Sequence, residues 1–166
     1  MRLIDVVETS ADVARDRSRI RKTTVLADAL SQATDEELPV VVAWLSGEIP
    51  QGRLGVGWRS LSQLMAPPAD SPTLEVAAVD AALGELASAS GPGSTKRRGE
   101  IIASLFAAST ESEQKFLVAL LTGELRQGAL AGVMTDAIAK VTGQDLALVR
   151  RANMLTGSLP VTAALA

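Results

Sequence analysis

Two short stretches of the chain carry the residue types best suited to binding chemistry. One is Gln51-Gly52-Arg53; the other is Arg126-Gln127-Gly128-Ala129. A glycine has no side chain to hold a ligand away, so main-chain amides there can approach a phosphate or sugar closely. If helices start just after these turns, their first amides and partial positive charge add an anion site. Arg53 and Arg126 can neutralise phosphate. Cys and His are absent, which excludes disulfides, thiol catalysis, most zinc sites and every His-based acid–base scheme. Carboxylates, Lys, Ser and Thr are the remaining reactive groups. No G-x-x-x-x-G-K-[ST] phosphate loop occurs. No catalytic or metal-ligating residue is assigned.

These turns belong to an internal repeat. Residues 34–54, TDEELPVVVAWLSGEIPQGRL, match residues 110–130, TESEQKFLVALLTGELRQGAL, at an offset of 76 residues with 10 of 21 positions identical. Two copies are too few for a solenoid, which needs at least three stacked units. They predict one domain of two similar halves that offers the same loop twice. Glu48 and Glu124 are also paired by the repeat. Each follows a helix end and reads as structural, accepting hydrogen bonds from turn amides or holding the neighbouring Arg.

The net charge is −3, which argues against nucleic acid only if charges are evenly spread. They are clustered. Arg15, Arg17, Arg19, Arg21 and Lys22 are opposed only by Asp16, and Lys96, Arg97 and Arg98 form a second group. The repeat offset carries Arg21 onto Arg97 and Lys22 onto Arg98. Either group alone reads as a solvated helix face; their equivalence suggests a shared electrostatic role.

The elements that must position these residues read as helices. Hydrophobic content is 47% but aromatic content only 2%, so the core must be built from Ala, Leu, Val and Ile, a mix suited to close helix packing. Leu3, Ile4, Val6 and Val7 predict a first short helix that breaks near Thr9-Ser10. Ile20, Val25, Leu26, Ala29 and Leu30 fit one face of a second. Thr34 with Glu37, and Thr110 with Glu113, are capping boxes that start a helix in each copy. The run VVVAWL at 40–45 could be a strand, but its counterpart KFLVALL at 115–121 follows a strong helix start, so both are assigned helical. Gly47 and Gly123 fall where a helix end favours a left-handed residue. Helices should restart near Trp58 and Ala131, the second with an apolar stripe of Val133, Ala137, Ile138 and Val141. Trp58 could stack on a nucleobase, but a lone Trp opening a helix is usually a packing anchor. Residues 65–73 form a Pro-rich connector and 90–95 a second loop. Two tail helices follow, Asp145 to Asn153 and one after Gly157 with Ser158 as cap and Pro160 in its first turn. No apolar run approaches the roughly 18 residues of a membrane span, and Asp5 and Glu8 come too early for a secretory signal, so a cytoplasmic location is expected.

The segments DVVETSADVARDRSRI, VVAWLSGEIPQGRLGVGW and FLVALLTGELRQGALAGVMTDAIAK together resemble the N-terminal DNA-binding domain of ATP-dependent DNA ligases, in particular the actinobacterial branch. The resemblance covers nearly the whole chain, and GELRQG is its most specific part. It implies an all-α domain of two pseudo-symmetric halves, about 5–64 and 81–140, with C-terminal helices over 144–166. It implies non-sequence-specific binding of nicked duplex DNA across the minor groove, in replication, repair or recombination. Carried over, the contacts are Arg126, Gln127, Gly128 and Ala129, and by the repeat Gln51, Gly52 and Arg53, with Arg21, Lys22, Arg97 and Arg98 as basic support. Pro50 stands where the second copy has Arg126, which implies a weaker or differently angled first contact. The Lys-x-Asp-Gly motif of ligase self-adenylation is absent: none of Lys22, Lys96, Lys115 and Lys140 lies in it. The chain is therefore expected not to be an enzyme by itself. A full-length ligase would supply nucleotidyltransferase and OB-fold domains as partners and use ATP and Mg. Two other readings stay open on the residues: a helix–turn–helix regulator reading DNA with residues 143–154 through Arg150 and Arg151, and a helical protein-interaction module.

Overall fold

The computed structural model describes residues 1–52, 54–125 and 131–166. Among these described residues there are ten helices: α1 (Leu3–Arg15), α2 (Arg19–Leu30), α3 (Leu38–Leu45), α4 (Trp58–Ser62), α5 (Val76–Ser88), α6 (Ser94–Ala108), α7 (Glu111–Thr122), α8 (Ala131–Thr142), α9 (Leu146–Thr156) and α10 (Leu159–Leu165). No strand forms among the described residues. A single antiparallel bridge joins Arg2 to Glu75. The fold is all-α, and the repeat is visible in its order: shifted by 76 residues, α1 to α4 fall on α5 to α8. The bridge ties the two matching N-termini together, with the Leu3 amide donating to the Leu74 carbonyl (2.8 Å) and the Val76 amide to that of Met1 (3.0 Å).

The centre of the molecule is α3. Val41, Val42, Ala43, Trp44 and Leu45 are all completely buried. A helix that is apolar all round is stable only when covered on every side, and α1, α2, α5 and α10 pack around this one. That burial is why VVVAWL mimics a strand in composition yet forms a helix. The two halves interlock: α1 packs on α7 while its counterpart α5 packs on α3, and α2 lies along α8. The tail then closes the core, as α10 fits against α3, α8 and α9.

Local signals set most helix ends. Thr110 and Glu113 form the reciprocal capping box of α7. Thr34 and Glu37 make the same exchange (3.1 and 3.3 Å), but around a turn that precedes α3, which starts at Leu38. Asp145 and Ser158 cap α9 and α10, with Pro160 in the first turn of α10. Four expectations need correction. There is no break at Thr9-Ser10: the Thr9 hydroxyl donates to the Asp5 carbonyl (2.7 Å), both residues are buried, and α1 runs on to Arg15. Ile20 is exposed, because the first turn of α2 runs past the core and burial begins at Leu26. The second loop ends sooner, since α6 starts at Ser94 and takes in the whole basic group. Trp58 is no packing anchor: it is 60% exposed, and Leu61, three residues on, anchors α4 instead.

Candidate nucleic-acid interface

The two helix exits that lead into the repeated turns are built alike. After α3 the Gly47 amide donates to the Trp44 carbonyl (3.0 Å) and the Glu48 amide to Ala43 (2.9 Å). After α7 the Gly123 amide donates to Leu120 (3.2 Å) and the Glu124 amide to Ala119 (2.8 Å). With Gly47 at φ 78° and Gly123 at φ 71°, both are Schellman endings, which satisfy the last helix carbonyls by a left-handed residue. Glu48 and Glu124 contribute through these amides, and both residues are exposed.

The two exits meet. A Cβ on Gly47 would lie 2.9 Å from the Leu125 carbonyl oxygen, so main chain from one half rests on the other. Between them runs an open groove of about 650 Å³, lined by Gly47, Glu48, Gly52 and Leu54 of the first turn and by Leu121 and Gly123 of the second. The two helix exits therefore lie side by side.

The first turn is held from both sides. Gly52 closes it at φ 75°, its amide donating to the Ile49 carbonyl (2.8 Å), with no atom of the described residues within 4 Å of where its Cβ would be. Gln51 turns inward and donates to the Asp80 carboxylate on α5 (2.8 Å). Arg98 donates to the carbonyls of Leu86 (2.6 Å) and Leu54, joining α5, α6 and the turn. Of the expected contact residues, Gln51 and Arg98 thus position the turn and Gly52 is its bare tip. Arg53, Arg126, Gln127, Gly128 and Ala129 lie outside the described residues.

The basic groups sit crosswise. The α6 group reaches the first turn through Arg98. The α2 group stands at the start of α8, just after the second turn, where Arg19 donates to the Gly132 carbonyl (3.2 Å) and to Asp136 (2.8 Å). Arg21 is paired with Asp16 (3.0 Å) and Arg97 with Glu85 (3.4 Å), each guanidinium more than half exposed. Lys22 has no carboxylate within ion-pair distance among the described residues. Each half thus lends an arginine to the other, Arg98 to the first turn and Arg19 to α8.

Sequence reasoning missed the clamp behind this arrangement. Asp136 on α8 accepts from Arg19 of α2 and from Arg150 of α9 (3.0 Å), fixing three helices. Burial pushes its carboxyl upward, but the hydrogen bonds and charges of the two guanidinium groups outweigh that and hold it below the usual carboxylate range. Arg19 stood within a noted cluster, but its partner is 117 residues away and no local pattern joins them. Gln51–Asp80 was invisible for the same reason. No described helix is long and apolar enough to cross a membrane.

A family model described as the DNA ligase N terminus matches residues 59–139. A probable DNA ligase of Mycobacterium sp. (strain KMS) is 54% identical across 99% of this chain and 32% of its own length. Probable DNA ligases of Nocardia farcinica and Streptomyces griseus subsp. griseus are each 53% identical, across 98% and 96% of this chain and 31% of theirs. The chain matches the N-terminal region of these DNA ligases. It spans about a third of the length of the curated relatives it matches. Within this ligase region, Arg97, Arg98 and the second turn fall inside the matched stretch, whereas Arg21, Lys22 and the first turn precede it.

Proposed function

We propose that this ligase N-terminal region grips nicked duplex DNA without reading its sequence, along the sugar–phosphate backbone and the minor groove. The observation that carries the reading is the abutment of the two helix exits at Gly47 and Leu125, with Arg98 of α6 bound to the first turn and Arg19 of α2 bound to α8. Gly52 and Gly128 offer close approach, Arg53 and Arg126 charge, and Arg21, Lys22 and Arg97 further cations. Gln51 and Arg98 hold the first turn in place, and Gln127 and Ala129 complete the second. Contacts of this kind position a protein without identifying bases, which suits an enzyme that must act at any nick. Groove width and deformability then matter more than base edges.

Sealing itself belongs to nucleotidyltransferase and OB-fold domains of the full-length ligase, using ATP and Mg, in cytoplasmic replication or repair. The segments proposed to act are the halves 5–64 and 81–140, with 144–166 as their brace.

The test is fluorescence anisotropy of labelled nicked duplexes of unrelated sequence, titrated with protein at several salt concentrations. Each phosphate contact steepens the log–log salt slope by about 0.9. Arg53→Ala and Arg126→Ala should each weaken all duplexes equally and flatten the slope by about that amount. Affinity for one sequence alone, or binding unchanged in the double variant, would end the reading.

A second reading is favoured by the tail. Of the large hydrophobic side chains exposed among the described residues, Leu148, Met154 and Leu155 lie on α9 and Val161 and Leu165 on α10. Such a concentration suits a protein contact. It does not suit a base-reading helix: Arg150 is bound to Asp136, and apolar residues dominate the outer face of α9. Saturable protein binding without duplex affinity would favour this role over the first.

A further inference from the structure

Trp58 is the largest exposed apolar side chain among the described residues, at 60%. It is not a loose one. It opens α4, which Leu61 pins with a completely buried side chain, and α4 packs on α7. Leu64, just beyond α4, lies beside Gly99 of α6, so the segment is fixed next to the second basic group. Ahead of Trp58 the chain is continuous with the first turn, and Leu54, Gly55 and Val56 line the groove between the turns. After it comes Arg59, exposed and with no carboxylate within ion-pair distance among the described residues. An indole left in water on a packed helix, flanked by the turn and a cation without an ion-pair partner among the described residues, has the character of an interface group. Indoles favour such places because one part is apolar and another donates a hydrogen bond.

We propose that Trp58 is a DNA contact, its ring lying against deoxyribose at the edge of the minor groove. The assignment rests on the duplex-binding reading above and adds an apolar component to it. In stacked duplex the faces of the bases are covered by their neighbours. The apolar surface within reach of a backbone-gripping protein is the C–H face of the sugars that wall the minor groove. Minor-groove proteins do combine apolar side chains with cations, there as wedges between base steps; Trp58 instead covers the sugar wall. The turns and arginines supply the ionic part of the grip, and Trp58 supplies the part that salt does not screen.

The chain has two tryptophans, and Trp44 is completely buried. Quenching by acrylamide therefore reports mainly on Trp58. Nicked duplex should be titrated while tryptophan emission and the anisotropy of a DNA-borne label are followed together. Expected are a change in emission that saturates with the anisotropy, and protection from acrylamide in the complex. Trp58→Ala should weaken binding about tenfold at every salt concentration, in the range of aromatic contacts to nucleic acid, with the salt slope unchanged because no counterion is released. Trp58→Phe should recover most of the affinity. If anisotropy rises while emission and acrylamide access stay as in the free protein, the proposal fails and the duplex-binding reading stands. A flattened slope in Trp58→Ala overturns it too, since the change would then act through the charged turn. Absence of any duplex binding overturns both.

Discussion

Gly47 stands so close to Leu125 that an added Cβ would come within 2.9 Å of the Leu125 carbonyl oxygen. Gly47 ends the third helix, and Leu125 follows the equivalent ending of the seventh. The pair is where the exits of the two equivalent helices touch. It brings the two copies of the repeat to one place on the surface, because main chain of one half rests on that of the other.

This contact separates two glycines that look the same in sequence. Gly123→Ala meets no atom of the described residues within 4 Å and pays only for a left-handed residue, about 1 kcal/mol. Gly47→Ala has the same backbone cost and must also push main chain away, which raises the loss to about 2–4 kcal/mol. Urea unfolding of both variants checks the difference. Gly47→Ala should also lower duplex affinity more than Gly123→Ala, because only it disturbs the contact with Leu125 between the two helix exits.

What could be read in the sequence is what neighbours in the chain decide. The Thr110–Glu113 box, the left-handed glycines and the Ser158–Pro160 helix start are written within a few residues, and they formed. The repeat corrected the one ambiguous element, the helix from Leu38. Long-range features were not legible. Arg98 and Lys22 are equivalent by offset, yet Arg98 is spent on two carbonyls and Lys22 has no such bonds among the described residues. Thr9 and Ser10 suggested a break because hydroxyls compete for backbone bonds; once buried in a helix, Thr9 satisfies the carbonyl four residues back. Trp58 shows the same limit, since its exposure depends on what fails to pack over it.

Arg97 and Arg98 are adjacent but should behave differently. Arg98→Ala removes charged hydrogen bonds to the Leu86 and Leu54 carbonyls. It should cost about 1–3 kcal/mol in stability and weaken duplex binding by loosening the first turn. Arg97 has only an exposed ion pair with Glu85, so Arg97→Ala should leave stability within about 0.5 kcal/mol. If Arg97 neutralises a phosphate, its removal flattens the salt slope by about 0.9. Thermal unfolding and salt-dependent anisotropy, run on both variants, separate the positioning residue from the contact.

The cap of the seventh helix gives a simpler expectation. Thr110→Ala removes the hydroxyl that accepts from the Glu113 amide and leaves that box half made. A loss of about 1 kcal/mol follows for an N-cap change of this type. Denaturant midpoints should show it, with the slope of the transition unchanged.

The Asp136 clamp makes stability depend on acid in a defined direction. Its carboxyl is partly buried, which opposes ionisation, but Arg19 and Arg150 hydrogen bond to it and hold its pKa below that of the unfolded chain, about 3.9. A group depressed in the folded state adds stability that is fully present above its unfolded pKa. That stability is lost as pH falls through the folded value, because the unfolded chain takes up the proton first. Stability should therefore be flat from pH 7 to about 5 and decline below about 4. Asp136→Asn keeps the shape and removes the charge. It should cost about 1–2 kcal/mol at neutral pH, since both guanidinium groups are partly exposed. It should also make the acid decline shallower. The decline will not vanish, because Glu37 is depressed as well, its burial outweighed by bonds from the N-terminal ammonium and Thr34. Urea unfolding of both proteins from pH 2.5 to 7 gives the comparison. Parallel curves, with equal slopes below pH 4, would mean that Asp136 titrates as it does in the unfolded chain and that the clamp carries no charge-dependent stability.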